Sequence, residues 1–322
     1  MTRVGVTGAT GFIGGALLPP LGRAGYDIVA IDDGSGPVRV EHPEWPVRAR
    51  DFTTDGALSL LRECDVVLHL GAVSGVMACA EDPAGTSRVN VAGTRRLVDA
   101  CSARGIPIAF ASSLAVVGAP EHLPATEETP ARPTHEYARQ KARGEEMVRE
   151  LGRSGKASGA VLRMSNVYGG YLVRGRRIAK GNVLELFCRQ ATEGRLTVNA
   201  PGTQRRDFIH IEDVIAHWEA TTRFLLAHRS DGGGRTFNVA SGQSFSVLEI
   251  ADKVANRWAV LRPSAPRLRI EVVPNPRQGV ELVEPEFAVS RAVTERTLGL
   301  ACRHSVDGTL DELLASTAAL PR

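Results

Sequence analysis

Residues 4–14 read Val-Gly-Val-Thr-Gly-Ala-Thr-Gly-Phe-Ile-Gly. A short apolar run ends in Gly8, and glycines recur at Gly11 and Gly14 where an apolar helical pattern begins. Glycines at this spacing permit a tight strand-to-helix turn and close approach of a backbone to a pyrophosphate. The free amides at a helix N-terminus then face that negative charge. The spacing is GxxGxxG rather than GxGxxG, so the turn from Gly8 through Thr10, Gly11, Phe12 and Ile13 to Gly14 is a candidate dinucleotide cradle. A plain strand–helix turn is the competing reading. The position of the glycines between a strand and a helix favours the cradle.

Working outward, the next apolar run, 26–31, ends in Asp32-Asp33, about twenty residues after the glycines. A carboxylate there can accept hydrogen bonds from both adenosine-ribose hydroxyls and would repel a 2′-phosphate, which favours NAD over NADP. Asp33 and Gly34 also suit a simple turn. Further short apolar runs at 65–70, 107–111 and 160–163 alternate with helical patterns at 12–21, 84–104 and 135–151. That alternation predicts βαβ units around a parallel sheet buried on both faces, an α/β, Rossmann-type doubly wound fold. Beyond about residue 168 the rhythm loosens. Residues 171–181 read as an Arg-rich loop, 182–193 as a helix, 196–199 as a strand, 200–206 as a turn and 212–228 as a helix. A strand at 235–240, a capping box at Ser246/Glu249 opening a helix to 258, a strand at 268–273 and a helix at 306–316 follow. The expectation is a dinucleotide-binding domain of 1–168 plus about 212–242. A smaller, mixed α/β substrate-binding domain would take about 169–211 plus 243–322.

Composition bounds the partners. The 322 residues are 43% hydrophobic and 23% charged, with a net charge of +3. This is an ordinary globular balance, and it argues against a nucleic-acid partner. The longest apolar stretch, 106–120, is too short to cross a membrane. The glycine-rich opening does not suit the helical core of a signal peptide. Five cysteines, at 64, 79, 101, 188 and 302, form no CxxC pair and no metal-ligand spacing. They read as reduced thiols of a cytoplasmic protein without a metal site.

Tyr137-Ala-Arg-Gln-Lys141 places a phenol and an ammonium on one face of a helix. The chain has only four Tyr and four Lys, so this spacing is rarely met by chance. A neighbouring cation is expected to lower the phenol pKa and ready it as a base. A surface Tyr–Lys pair is the competing reading.

Taken together, TGATGFIG, HLGA (69–72), VNVAGT (89–94), SSLAVVG (112–118), YARQK, LRMSNVYG (162–169), RRDFIHIEDV (205–214) and FNVASGQSFSV (237–247) resemble the extended short-chain dehydrogenase/reductases. Within that group they are similar to the nucleotide-sugar epimerase/dehydratase branch, nearly end to end. The resemblance implies that Ser113, five residues before Gly118, shares a proton with Tyr137 at the sugar 4-oxygen, and that Lys141 also holds the nicotinamide ribose. It implies that Val117, where the family has Tyr, is a packing change. Asp51 and Phe52 would meet the adenine, Leu70, Gly71 and Ala72 would line the cofactor's centre, and Asn90 would lie beneath it. For the substrate, it implies that Asn166, Arg206 and Arg277 contact the diphosphate. Asn182 and Val183 would lie beside the nucleoside, and Thr197 and Asn199 would flank the base.

The resemblance also bears on the reaction. Dehydratases and decarboxylases of this branch carry acids just after the active-site Ser or Thr, and here Leu114 and Ala115 stand there. What remains suffices for NAD-dependent 4-epimerisation of a UDP-hexose such as UDP-glucose or UDP-galactose. The alternatives are a UDP-glucuronate 4-epimerase, a 4-ketosugar reductase or a non-catalytic nucleotide-binding regulator. Arg174, Arg176 and Arg177 either face a C6 carboxylate or form a solvated loop. A homodimer is implied, paired through apolar faces of helices near 86–104 and 135–150.

Overall fold

The computed structural model describes residues 1–229, 233–275 and 286–318. Six strands open the chain's main sheet: β1 (Arg3–Thr7), β2 (Asp27–Asp32), β3 (Arg48–Ala49), β4 (Val66–His69), β5 (Ile108–Ser113) and β6 (Gly159–Met164). With the strand Gly234–Val239 they form one sheet, in the order Gly234–Val239, β6, β5, β4, β1, β2, β3. Every pairing in it is parallel. The order reverses between β1 and β4, and a crevice opens there at the strands' carboxyl ends.

Alternation along the strands divides the core in two. Val66, Leu68, Ala109, Ala111, Ala160 and Leu162 face one cluster, with Leu17, Leu18, Val214 and Trp218. Val67, Ile108, Phe110 and Val161 face the other, with Leu58, Leu97, Val148 and Leu151. Side chains of a strand point alternately to opposite faces, so a strand apolar throughout must be covered on both. This is the doubly wound architecture expected.

The helix α1 (Phe12–Arg23) runs past the predicted end at 21 even though it contains Pro19 and Pro20. Proline has no N–H for the carbonyl four residues back. His42 Nε2 donates to Gly15 O at 2.8 Å instead, so the carbonyl that Pro19 leaves open is satisfied from the following loop. The single helix expected over 84–104 is three pieces: Pro83–Ser87, a π-helical turn Arg88–Gly93, and Thr94–Ser102. The turn carries Asn90, whose side chain accepts from Val73 N and donates to Val73 O, each at 2.8 Å.

A separate core holds Leu184, Phe187, Leu196, Val198, Ile250, Val254, Leu310 and Leu313. It is built by the helices Val183–Ala191, Val247–Leu261 and Val306–Ala318 with the parallel strands Arg195–Asn199 and Arg269–Val273. Ser246 and Glu249 form the expected capping box. Two sequence expectations are corrected here. Residues 171–181 are not a loop but a β-hairpin, Gly170–Val173 against Arg176–Ala179. The turn at 200–206 gives way at Arg205 to a strand, Arg205–His210, paired with Asn166–Tyr168 and Ser244–Ser246.

Beneath the end of β5 lies a buried ion pair. Arg163 donates to Glu145 through Nε (3.0 Å) and Nη2 (2.9 Å), and through Nη1 to Thr129 O (2.9 Å). Ser112 Oγ donates to Glu145 Oε1 at 2.6 Å. The two charged side chains are 1% and 0% exposed. Removing one partner of such a pair leaves an uncompensated buried charge. Glu145→Leu is therefore expected to lower the unfolding free energy by about 3–5 kcal/mol. Arg149 Nη2 also donates to Glu145 Oε2 at 2.6 Å, so the double variant Glu145→Leu/Arg163→Met should recover only part of it, as urea denaturation would measure.

Candidate active site

The crevice is built first by the turn from β1 into α1. Gly8 has φ +70°, and a Cβ there would lie 2.7 Å from Gly71 N. A Cβ on Gly14 would lie 2.1 Å from Gly8 O. Only glycine permits this closeness. The N-cap of α1 is Gly11, with no side-chain cap and no acid in the first turn. Among the described residues no side chain caps the helix amides at Phe12 and Ile13, which fits a dinucleotide's diphosphate. Asp32 Oδ2 accepts from Thr10 N (3.0 Å) and Oδ1 from Gly34 N (2.7 Å). These bonds fix the carboxylate at the rim of a cleft lined by Thr10, Asp32, Asp33, Gly34, Arg39 and Arg174, among others. Asp33 lies in the same cleft, but its Oδ1 is engaged by Ser35 N and Oγ at 2.9 and 2.6 Å.

Further along the crevice, Asp51 Oδ1 accepts from Thr53 N at 2.8 Å. Phe52 is buried, with its ring against Gly71 and Gly93 and edge-on to His69. Leu70, Gly71 and Ala72 follow β4 across from the Gly8 turn, and Leu70 N bonds Thr7 O at 3.2 Å. His69, to which the sequence reading gave no role, orders this segment. Thr94 Oγ1 donates to Asn90 O (2.7 Å), so it accepts from His69 Nε2 (3.0 Å). His69 Nδ1 is then the acceptor for Thr7 Oγ1 (2.7 Å), which accepts in turn from Gly71 N (3.1 Å). Burial, helped by Lys141, lowers the His69 pKa to about 3. The ring stays neutral and the direction of the chain stays set. Asn90 ends the network, donating to Gln140 Oε1 at 2.7 Å.

Ser113, Tyr137 and Lys141 come together at the end of β5. Ser113 Oγ accepts from Ala115 N at 3.2 Å, and the hydroxyl lies near enough to the Tyr137 phenol to lower its pKa. Tyr137 and Lys141 lie one turn apart on the helix Glu136–Arg153, and His135, its N-cap, stacks on the Tyr137 ring. Lys141 Nζ donates to Ala111 O at 2.8 Å and lies 5.9 Å from the Tyr137 ring centroid.

The expected lowering of the phenol pKa is corrected for this state of the protein. Burial pushes Tyr137 up to about 12, opposed by the Ser113 hydrogen bond. Burial brings Lys141 down to about 8. After Ser113, Leu114 is buried and Ala115 carries no proton-transfer group; Val117 is fully buried in a small apolar cluster.

Toward the second core, Asn166 Nδ2 donates to Asp207 O at 3.1 Å. Asn182 caps the helix Val183–Ala191: Oδ1 accepts from Glu185 N and Nδ2 donates to Val167 O, each at 3.1 Å. Its side chain is occupied in shaping the helix start, with Val183 packed against the second core. Thr197 and Asn199 share one face of the strand Arg195–Asn199, two residues apart. Thr197 N is held by Gln190 Oε1 at 2.9 Å. Arg206 lies on Arg205–His210 and donates to Arg205 O at 2.7 Å. Arg277 lies outside the described residues.

The three hairpin arginines separate. Arg177 is held by Glu185 at 3.1 and 2.8 Å, and Arg174 reaches the Asp32 cleft. Lys180, unremarked in the sequence, lies at the hairpin's base. Burial lowers its pKa, and its charge in turn lowers that of Lys141. His210, Glu212 and His304 bring three ligand-type atoms within 4.8 Å of one another. The two imidazoles stack face to face 4.4 Å apart, so their nitrogens run alongside rather than converge on one ion.

The family model described as NAD dependent epimerase/dehydratase family matches residues 4–240. A UDP-glucose 4-epimerase of Mycolicibacterium smegmatis is 30% identical over 275 residues, covering 82% of this chain and 84% of that protein. A mouse UDP-glucose 4-epimerase is 30% identical over 284 residues, covering 78% and 80%. The solved Thermus thermophilus UDP-glucose 4-epimerase in complex with NAD is 25% identical. It superposes with a TM-score of 0.79 over 99% of both chains. The cradle at Gly8–Gly14, the Ser113–Tyr137–Lys141 cluster and these relatives agree: the chain belongs to the NAD dependent epimerase/dehydratase family.

Proposed function

We propose that the protein is an NAD-dependent 4-epimerase of a nucleotide-diphosphate sugar, with a UDP-hexose such as UDP-glucose or UDP-galactose as substrate. The observation that carries this reading is the company Ser113, Tyr137 and Lys141 keep. The residues following Ser113 are Leu114 and Ala115, so the cluster can move a proton at one hydroxyl but has no adjacent acid for dehydration or decarboxylation. The relatives named UDP-glucose 4-epimerase support it.

In this reading NAD supplies the hydride acceptor and donor. Gly8, Thr10, Gly11, Phe12, Ile13, Gly14, Asp32, Asp33, Asp51, Phe52, Leu70, Gly71, Ala72 and Asn90 hold it, with Tyr137 and Lys141. Tyr137 takes the 4-hydroxyl proton and returns it, with Ser113 as the hydrogen-bonding relay. Asn166, Asn182, Val183, Thr197, Asn199, Arg206 and Arg277 hold the nucleotide, and that binding energy retains the keto intermediate while the sugar turns over. Residues 1–168 plus about 212–242 would form the NAD domain, and about 169–211 plus 243–322 the sugar-nucleotide domain.

We infer a cytoplasmic homodimer from the family resemblance; among the described residues no helix is long and apolar enough to cross a membrane. The outward positions of the two helices implied in pairing include Arg96, Asp99, Arg143, Glu146 and Glu150, all exposed. Pairing through them would rest on complementary charge rather than on the apolar faces expected, so the dimer should weaken with salt. Light scattering at micromolar protein in low and high salt would measure this, and a monomer in both would refute it.

Interconversion of a UDP-hexose and its 4-epimer without net NADH change tests the main reading, with NMR of the product. Tyr137→Phe should keep the fold and bound NAD yet slow turnover by about 10²–10⁴-fold. Near-full activity of that variant would sink the mechanism.

Lys141 gives a stability signature. Its ordinary pKa of 10.5 falls to about 8 in the folded chain, so the unfolded chain binds the proton more tightly. The Lys141 contribution to stability of the cofactor-free protein should therefore climb as pH rises from about 8 toward 10.5, against an opposing fall above pH 9 from buried thiols such as Cys64 and Cys101, whose pKa values burial raises to about 12. Lys141→Met should abolish that climb and raise stability at pH 7 by on the order of 2 kcal/mol, while losing activity. Thermal unfolding across this pH range checks the sign.

A further inference from the structure

The hairpin Gly170–Ala179 lies against the dinucleotide cradle. Tyr171 Oη donates to Phe12 O at 2.7 Å, at the first residue of α1, and the two rings pack with centroids 5.6 Å apart. Ile178, on the return strand, is buried in the same core as Phe12. The hairpin is thus anchored at the helix end where a diphosphate would sit. At its tip, Arg174 lines the cleft of Thr10, Asp32 and Gly34.

Both tip residues have positive φ, 50° at Arg174 and 77° at Gly175. Two left-handed residues in succession make the mirror-image turn that suits a two-residue hairpin, and Asn-Gly or Asp-Gly forms it with least strain. Arginine is a poor residue for the first position, since its Cβ crowds the following carbonyl. An unfavoured backbone conformation held by surrounding structure points toward a use for the side chain.

Two other cations nearby are already paired. Arg39, in the same cleft, pairs with Glu41 at 3.3 Å. Arg177, on the same hairpin, is held by Glu185. Arg174 has no hydrogen-bond or ion-pair partner among the described residues. It lines a cleft whose fixed carboxylate, Asp32, is already held by two backbone amides.

We propose that Arg174 is a cofactor-binding residue: the hairpin is a strap across the dinucleotide site, and its tip guanidinium pairs with the adenosine-side phosphate of bound NAD. The inference rests on the reading of this cleft as the NAD site, and it is independent of which sugar the enzyme turns over. A planar, always-charged fork suits a phosphate and would slow NAD release from an enzyme that recycles its hydride internally.

The test is the release of NAD from the purified holoenzyme, trapped by an alcohol dehydrogenase and ethanol and followed as NADH fluorescence. Arg174→Asn deletes the guanidinium and installs the preferred Asn-Gly turn, so the hairpin is kept. It should release NAD about tenfold faster than wild type at low salt, the size of one lost charge-assisted contact. Wild-type release should quicken with salt and the variant's should not. Arg174→Lys should fall between. Arg176→Asn removes the same charge from an exposed strand position and should release NAD at the wild-type rate. Wild-type release by Arg174→Asn, or equal acceleration by Arg176→Asn, would overturn the proposal. No sugar enters the assay, so a wrong substrate assignment leaves the result interpretable.

Discussion

The buried pair of Arg163 and Glu145 joins the parts on which the site depends. Arg163 comes from β6, Glu145 from the helix bearing Tyr137 and Lys141, Ser112 from β5, and Thr129 from the segment leading into that helix. Glu145 follows Lys141 by one turn, and Ser112 adjoins Ser113. The carboxylate therefore registers the helix against the strand, and with it the phenol against the hydroxyl. A buried ion pair is weak evidence of net stabilisation, because desolvating both charges is costly. Its value here lies in geometry. A bidentate fork accepts one helix rotation, whereas an apolar contact at the same place would tolerate several.

The parallel sheet was legible because its strands are apolar throughout and separated by helical periods. Two faces of cover follow from that pattern alone. The hairpin at 170–179 was hidden by composition. Its arginines masked the alternation of Tyr171, Val173 and Ile178, and the turn uses Arg-Gly where Asn-Gly would have announced it. The strand at Arg205–His210 was missed because it opens on two arginines, whose long side chains lie along the surface. The π-helical turn at Arg88–Gly93 leaves no mark in periodicity, since it arises from Asn90 bonding both backbone groups of Val73 across a sequence gap.

At the site, Ser113, Tyr137 and Lys141 were found by spacing and resemblance, and the fold brings them together. Their electrostatics were not legible. A helix spacing places two groups on one face, but only the three-dimensional surroundings set the balance between burial and charge, and burial wins at both Tyr137 and Lys141. Asn182 was placed by resemblance at a helix start, and it caps the helix Val183–Ala191 there. His69 had a signal available. A histidine in an apolar strand, opposite a threonine in the neighbouring strand, must satisfy two nitrogens without water, and Thr7 pairs with it in register.

The proline pair in α1 carries a consequence for how this chain can change. Gly15 O accepts from His42 Nε2, and that donor comes from the loop that walls the Asp32 cleft. Restoring an amide at position 19 with a better helix former would set two donors competing for one carbonyl. Sharing that oxygen between the new amide and the ring would weaken the bond from His42 to the helix. The proline and the histidine thus complement each other at one carbonyl. A residue exchange that improves the helix in isolation loosens the cleft the helix was folded to build.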